Sequence, residues 1–241
     1  MNEDFDKIED FEVSQQIEET NKISIIKECT ASINVDPEKG FTPLCPNELP
    51  VPGGDEIVEE LNGQNSKCKY KIVTKDVHPY NALWNATLMY PQLTPVGLPN
   101  VDVRWNRHCE SGTKGMELLD GLPKMTEYDF FVAKGFEADL HPYSACYHDL
   151  NKTISTGIIE WLNQHEITTV IVGGLALNVE DNPLCVGHTV IDLANSGFQV
   201  ILNLGAVRGL GSKDGQDKFV EMLKTNHGIF VVNSYKDIEI L

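Results

Sequence analysis

An alternation limits the fold of this chain more than any single motif. Short runs rich in β-branched and aromatic residues stand at 31–35, 70–74, 128–133, 168–172, 198–204 and 228–232, and they run into Gly, Asp or Asn. Each reads as a buried strand. Between them lie helical patterns at 54–61, 153–164, 185–195 and 216–225, the last of which, QDKFVEMLKT, is plainly amphipathic. Strands alternating with helices predict an α/β fold, a doubly wound parallel sheet of about six strands covered by helices on both faces. In such a sheet ligands bind beyond the carboxyl ends of the strands. Chemistry is therefore sought at strand ends.

Composition narrows the class. The chain has 241 residues, 41% of them apolar, enough for one large domain with its own core. Its formal net charge of −17 opposes binding to nucleic acid or to anionic membrane surfaces. Residues 1–20 hold eight acidic residues and one basic one and read as a solvated acidic arm, leaving 21–241 as the folded domain. The opening MNEDFDKIEDFEVSQQIEE has neither the basic nor the apolar region of an export signal, and no apolar run is long enough to span a bilayer. The six cysteines are scattered without a CxxC pair, which predicts free thiols and a cytoplasmic setting.

Several ionisable residues stand just past predicted strands. Asp36 ends the first, in INVDPEKGF; Asp76 and His78 follow the second, in VTKDVHP; Lys134 ends the third, in FFVAKGF; Cys185 opens a helix after the fourth, in NPLCVGHTVIDLA. Taken singly each has an ordinary explanation: cysteine packs as a small hydrophobe, aspartate favours turns, and lysine is solvated. Together they deliver charge from four strands to one sheet edge. Asn182 as cap and Pro183 at the first helical position would put Cys185 in the first turn, where the helix dipole favours a thiolate. Lys134 nearby would favour it further. Asp76 and His78, two apart on an extended segment, project to one side, and His108 offers a third donor. One carboxylate with two imidazoles suits zinc, with iron or manganese as alternatives, and leaves positions open for water. Trp105, three residues before His108, offers a flat face to an aromatic ring. The stretch 82–103, with Pro91, Pro95 and Pro99, reads as a long loop over this edge.

Read together, VDPEKGF (35–41), VPGGDEIVEELN (51–62), DVHP (76–79), WNRHCESGTKGMEL (105–118), VAKGFEADLHPYSA (132–145), VGGLAL (172–177) and CVGHTVIDLANSGFQV (185–200) resemble, in order, the motifs of the isochorismatase-like hydrolases, and within them the nicotinamidases. The resemblance implies a cysteine amidohydrolase that converts nicotinamide to nicotinate and ammonia in NAD salvage. It assigns Asp36 as the base, Lys134 as the residue that holds the thiolate, and Cys185 as the nucleophile, which passes through a thioester acyl-enzyme. It gives Asp76, His78 and His108 to one divalent metal ion that holds the pyridine nitrogen. Phe41 and Trp105 would sandwich the ring, with Tyr143 also at the substrate and Ala176 beside an unusual cis peptide as an oxyanion donor. A small amide is thus the expected partner, and a homo-oligomer is left open.

Three departures accompany the resemblance. Some members carry a further histidine four residues after the motif histidine, where this chain has Ala82. The connection from His78 to Trp105 is longer than usual. About five extra residues precede Cys185, in NVEDNPL. We expect these to bulge away and leave Ala176 close to Cys185; the alternative makes Leu184 the donor. The rival activities are hydrolysis of another amide, ureido or carbamoyl compound on the same scaffold, and binding without turnover.

Overall fold

The computed structural model describes residues 22–241. The acidic arm predicted at 1–20 lies outside them. The order of elements is β1 (Ile23–Ile25), β2 (Thr30–Val35), α1 (Val58–Lys67), β3 (Tyr70–Asp76), β4 (Pro95–Leu98), β5 (Val101–Val103), β6 (Phe130–Lys134), α2 (Ile158–Gln164), β7 (Thr169–Leu175), β8 (Asn178–Val179), β9 (Asn182–Pro183), α3 (Cys185–Asn195), β10 (Gln199–Arg208), α4 (Lys213–His227), β11 (Phe230–Val232) and β12 (Ile238–Ile240). The six expected strands form one sheet in the order β11-β10-β7-β2-β3-β6, every pair parallel. The chain winds outward in one direction from β2 and in the other from β7. With right-handed crossovers this puts the helices on both faces, α1 across β2, β7 and β10, and α3 and α4 on the other side. The two strands at the reversal, β2 and β7, are buried along their whole length. Burial of Ile33, Val35, Ile171 and Val172 there stabilises the fold by about 1.5–3 kcal/mol per side chain.

The reversal between β2 and β7 is the topological switch point, where a doubly wound sheet leaves a crevice. It demands close backbone approach. Gly174, at the end of β7, has φ +131°, and a Cβ there would lie 1.9 Å from the Val35 carbonyl oxygen, so no other residue fits.

The structure departs from the sequence reading in four places. The expected helix at 54–61 is a 3-10 turn, Gly54–Glu56, followed by α1. The one expected from 153 starts only at Ile158, because the Asp149 carboxylate accepts from the Thr153 and Ile154 amides and holds a turn there. The segment 82–103 is not loop throughout: it carries the β4–β5 hairpin. Its ends are fastened, since Trp105 N–H donates to Trp84 O and Ala86 N–H to Trp105 O, so the extra length leaves and returns at one place. Finally, β1 and β12 pair in parallel and join the two ends of the described chain over a small cluster of Ile25, Ile171, Ile201, Val232 and Ile238.

Candidate active site

Parallel register brings the strand-end residues together. Asp76 and Lys134 are directly opposite in the β3–β6 pair. Asp36 follows β2 with φ +44°, a left-handed conformation that aspartate tolerates better than most residues, which turns the chain at the strand end. Thr74 of β3 secures it, its hydroxyl donating to Asp36 Oδ1 at 2.5 Å and accepting from the Asp36 N–H at 3.1 Å. Lys134 Nζ lies 2.9 Å from Asp36 Oδ2, donates to Asp76 Oδ1, and lies 3.6 Å from Cys185 Sγ. Asp36 and Lys134 are fully buried and Cys185 is buried at the start of α3. An oxygen of Asp36, an oxygen of Asp76 and the Cys185 sulfur fall within 4.8 Å of one another. With an ammonium already among them, this cluster suits proton transfer better than cation binding.

Burial decides the protonation of this cluster. It pushes the Cys185 thiol well above its usual range, and Lys134, which pulls the other way, does not overcome it. Burial thus works against the lowering that the helix start and Lys134 favour. Burial also raises the Asp36 carboxyl, against the pull of Lys134, which makes Asp36 a stronger base than an exposed aspartate. Burial alone would lower Lys134, yet the carboxylates of Asp36 and Asp76 hold it protonated. Asp76 is pushed up by burial but pulled further down by Lys134, and stays ionised.

The expected cap is corrected. Asn182 and Pro183 form β9, the return strand of a hairpin with β8, and Leu184 is the N-cap of α3, without a side-chain cap. The extra residues before Cys185 thus fold back on themselves through Glu180 and Asp181. The Ala176 carbonyl accepts from Val186 N–H at 3.0 Å, which seats Ala176 against the first turn of α3. Leu184 N–H is spent on Leu177 O at 3.0 Å, so it is not free to serve as the alternative donor. The Leu175–Ala176 peptide is cis. Cys185, as the first helical residue, has an amide with no intrahelical partner.

Beside this cluster lies a second one, made of imidazoles. His78 N–H donates to Cys109 O and Ser111 N–H donates to His78 O, a short ladder that brings the His78 and His108 rings to 4.8 Å between centroids. His78 Nδ1 faces Gly135 O at 2.9 Å and His108 Nδ1 faces Asn106 O at 2.6 Å. A carbonyl can only accept, so both Nδ1 atoms carry a proton, and in the neutral ring this leaves the lone pair on Nε2, the tautomer of a metal-ligating histidine. Buried His78 Nε2 has no partner, and it lies 3.4 Å from Asp76 Oδ2. Burial above all pushes the His108 imidazole down to about 3, so it stays neutral. These residues fit a divalent ion. Gly135 permits the arrangement: at φ +70° it passes beneath the His78 ring, where a Cβ would come within 2.5 Å of Cε1.

The structure adds a histidine that the sequence reading missed. A ring nitrogen of His141 lies within 4.8 Å of donor nitrogens of both His78 and His108. It stands in the segment 132–145 that was read for its lysine, and an isolated histidine in irregular chain carries no local signal.

Both clusters reach one narrow cavity, lined among others by Phe41, Trp105, Tyr143, Ala176, His108, Asp76 and Cys185. All four residues expected to face a substrate thus line the same space, which is apolar and suits a single aromatic ring. Trp105 Nε1–H donates to the Tyr143 hydroxyl at 3.0 Å, which donates to the Asp102 carboxylate at 2.9 Å, so the wall is braced from the β4–β5 hairpin.

A doubly wound sheet with an Asp–Lys–Cys cluster at its switch point defines a class of buried-cysteine hydrolases. Residues 30–234 match the Isochorismatase domain, and the chain belongs to that family. It is 30% identical over 197 residues to the nicotinamidase of Acinetobacter baylyi, covering 80% of this chain and 88% of that one. Among solved structures it is similar to the yeast nicotinamidase bound to the inhibitor nicotinaldehyde, at TM-score 0.72 and 27% identity over 85% of this chain and all of that one. It is also similar to the pyrazinamidase of Pyrococcus horikoshii in complex with zinc, at TM-score 0.62 and 25% identity over 88% and 98%.

Proposed function

We propose that this protein is a nicotinamidase, an amidohydrolase that releases ammonia from nicotinamide and leaves nicotinate. One observation carries the reading: Asp36, Lys134 and Cys185 form a buried cluster, and its Cys185 lines the same cavity as Phe41, Trp105 and His108. The thiol must lose its proton as it attacks, and Asp36, raised by burial, is the group placed to take it. Lys134 then faces the new thiolate at close range and offsets its charge. Cys185 Sγ attacks the carboxamide carbon, the C–N bond breaks, and the proton held by Asp36 goes to the departing nitrogen, giving ammonia and a thioester. Water adds to the thioester, Asp36 takes its proton, and the acid leaves as the sulfur recovers it. The amides of Ala176 and Cys185 are the donors for the oxyanion.

Asp76, His78 and His108 would hold one divalent ion, with zinc the first candidate, which offers the ring nitrogen a Lewis-acid contact when bound. Trp105 and Phe41 hold the ring faces. Among the described residues no helix is long and apolar enough to cross a membrane. All six cysteines are free, which suits the reducing cytoplasm.

Ammonia release from a panel of amides tests the reading. Nicotinamide should be the best substrate, and benzamide, which lacks the ring nitrogen, should be poor. Treatment with a chelator should abolish turnover, and added zinc should restore it. Preference for a ureido or carbamoyl compound over nicotinamide would sink the substrate assignment and leave the amidohydrolase class standing.

A further inference from the structure

His141 has no part in the chemistry described so far, and its surroundings ask for an explanation. Its side chain is buried, and neither ring nitrogen has a hydrogen-bond partner. A neutral imidazole carries one donor and one acceptor, and leaving both unmet in the interior is costly. The backbone does not require histidine: His141 N–H donates to Asn100 O and Leu140 O accepts from Trp84, bonds open to most residues. What is particular to the side chain is its direction. The ring lies nearly parallel to His78 at 5.4 Å and 6.0 Å from His108, and one nitrogen joins the donor group of those two.

We propose that His141 is a fourth protein ligand of the divalent ion. The inference rests on the metal reading of Asp76, His78 and His108. Three imidazoles and a carboxylate favour zinc, iron or cobalt over magnesium or calcium, and they leave fewer places for water than three protein ligands would. The ligand comes from the loop after β6, so the same segment that carries Lys134 reaches round to the histidine side.

The experiment compares the purified full chain with His141→Ala, His141→Gln and His108→Ala, each read for zinc affinity against a competing chelator and for the visible spectrum of the cobalt(II) form. Glutamine can still bond to a metal-bound water but is a poor ligand. Both His141 variants should bind zinc at least about tenfold more weakly and change the cobalt spectrum. His141→Gln with zinc affinity within about threefold of the parent and an unchanged cobalt spectrum overturns the proposal and leaves His141 as a bond to water or a wall of the pocket. If His108→Ala also keeps full affinity, the metal reading itself fails; if only the His141 variants keep it, this inference alone falls.

Discussion

The two halves of the site are held in different ways. Asp36, Asp76 and Lys134 stand at the ends of neighbouring parallel strands, and their spacing follows from the ladder register. His78, His108 and His141 stand on three irregular segments, joined by a short ladder at His78 and by single backbone bonds to the loops around Trp84 and Asn100. A strand end is placed by the whole sheet, so a local change there alters chemistry before it alters position. A loop histidine is placed by a few contacts, so substitutions some distance away can move it.

The sharpest test of this contrast lies in the strand-held half. Cys185→Ala should lower turnover by about 10⁴-fold or more while metal content and melting temperature stay close to those of the parent. Lys134→Met should be as inactive and should also lose about 3–5 kcal/mol of stability at neutral pH, because Asp36 and Asp76 would be left buried without a cation. Denaturant melts of both variants check this. A Lys134→Met protein as stable as Cys185→Ala would mean that the carboxylates do not depend on the ammonium.

An intermediate effect is expected where the halves meet. Gly135→Ala adds a methyl group 2.5 Å from the His78 ring in a left-handed conformation, next to Lys134. It should weaken metal binding by about tenfold, as loss of an orienting contact typically does, while alkylation of Cys185 proceeds near the parental rate. Equal loss of both would show that the two halves are not separable at this point.

The smallest effect concerns Glu38. It is fully buried; its Oε2 accepts from Asp76 N–H at 2.7 Å while Oε1 has no partner. Burial, then the charges of Asp36 and Asp76, raise its carboxyl well above the usual range. The unfolded chain therefore loses this proton at a lower pH than the folded one. Glu38 costs no stability below the ordinary glutamate range, and its cost grows as pH rises toward the folded value. Glu38→Gln, which can keep the bond to Asp76, should melt a few degrees above the parent at pH 7 and with it at pH 4. A lower melting temperature at pH 7 would mean that Glu38 is ionised and paired.

Much of this was legible in the sequence, for reasons that differ by residue. The six strands showed because each is a short, nearly continuous apolar run, the signature of strands covered on both faces. Asp36, Lys134 and Cys185 showed because each follows such a run, as does the Asp76–His78 pair. The helix from Cys185 to Asn195 was read in full, yet its cap was not. Asn182 and Pro183 suit a cap and a hairpin equally well, and pairing with Asn178 and Val179, which local chemistry does not encode, decided between them. The balance of effects at Cys185 was only half legible for a similar reason. A helix start is visible in sequence, whereas the depth of burial that raises the thiol is a property of the assembled sheet. His141 was missed because its place beside His78 and His108 depends on a loop returning to residues far back in the chain.

Asp76 belongs to both halves at once: Oδ1 accepts from Lys134, and Oδ2 faces His78 at 3.4 Å. One carboxylate therefore divides its charge between the ammonium that serves the sulfur and the donor group that would hold a cation. A cation drawn to Oδ2 competes for the charge that keeps Lys134 protonated. The two equilibria then share a coupling free energy, and the sharing is reciprocal: whatever loading of the histidine side does to the acidity of the Cys185 thiol, ionising that thiol does in equal measure to the affinity of the histidine side.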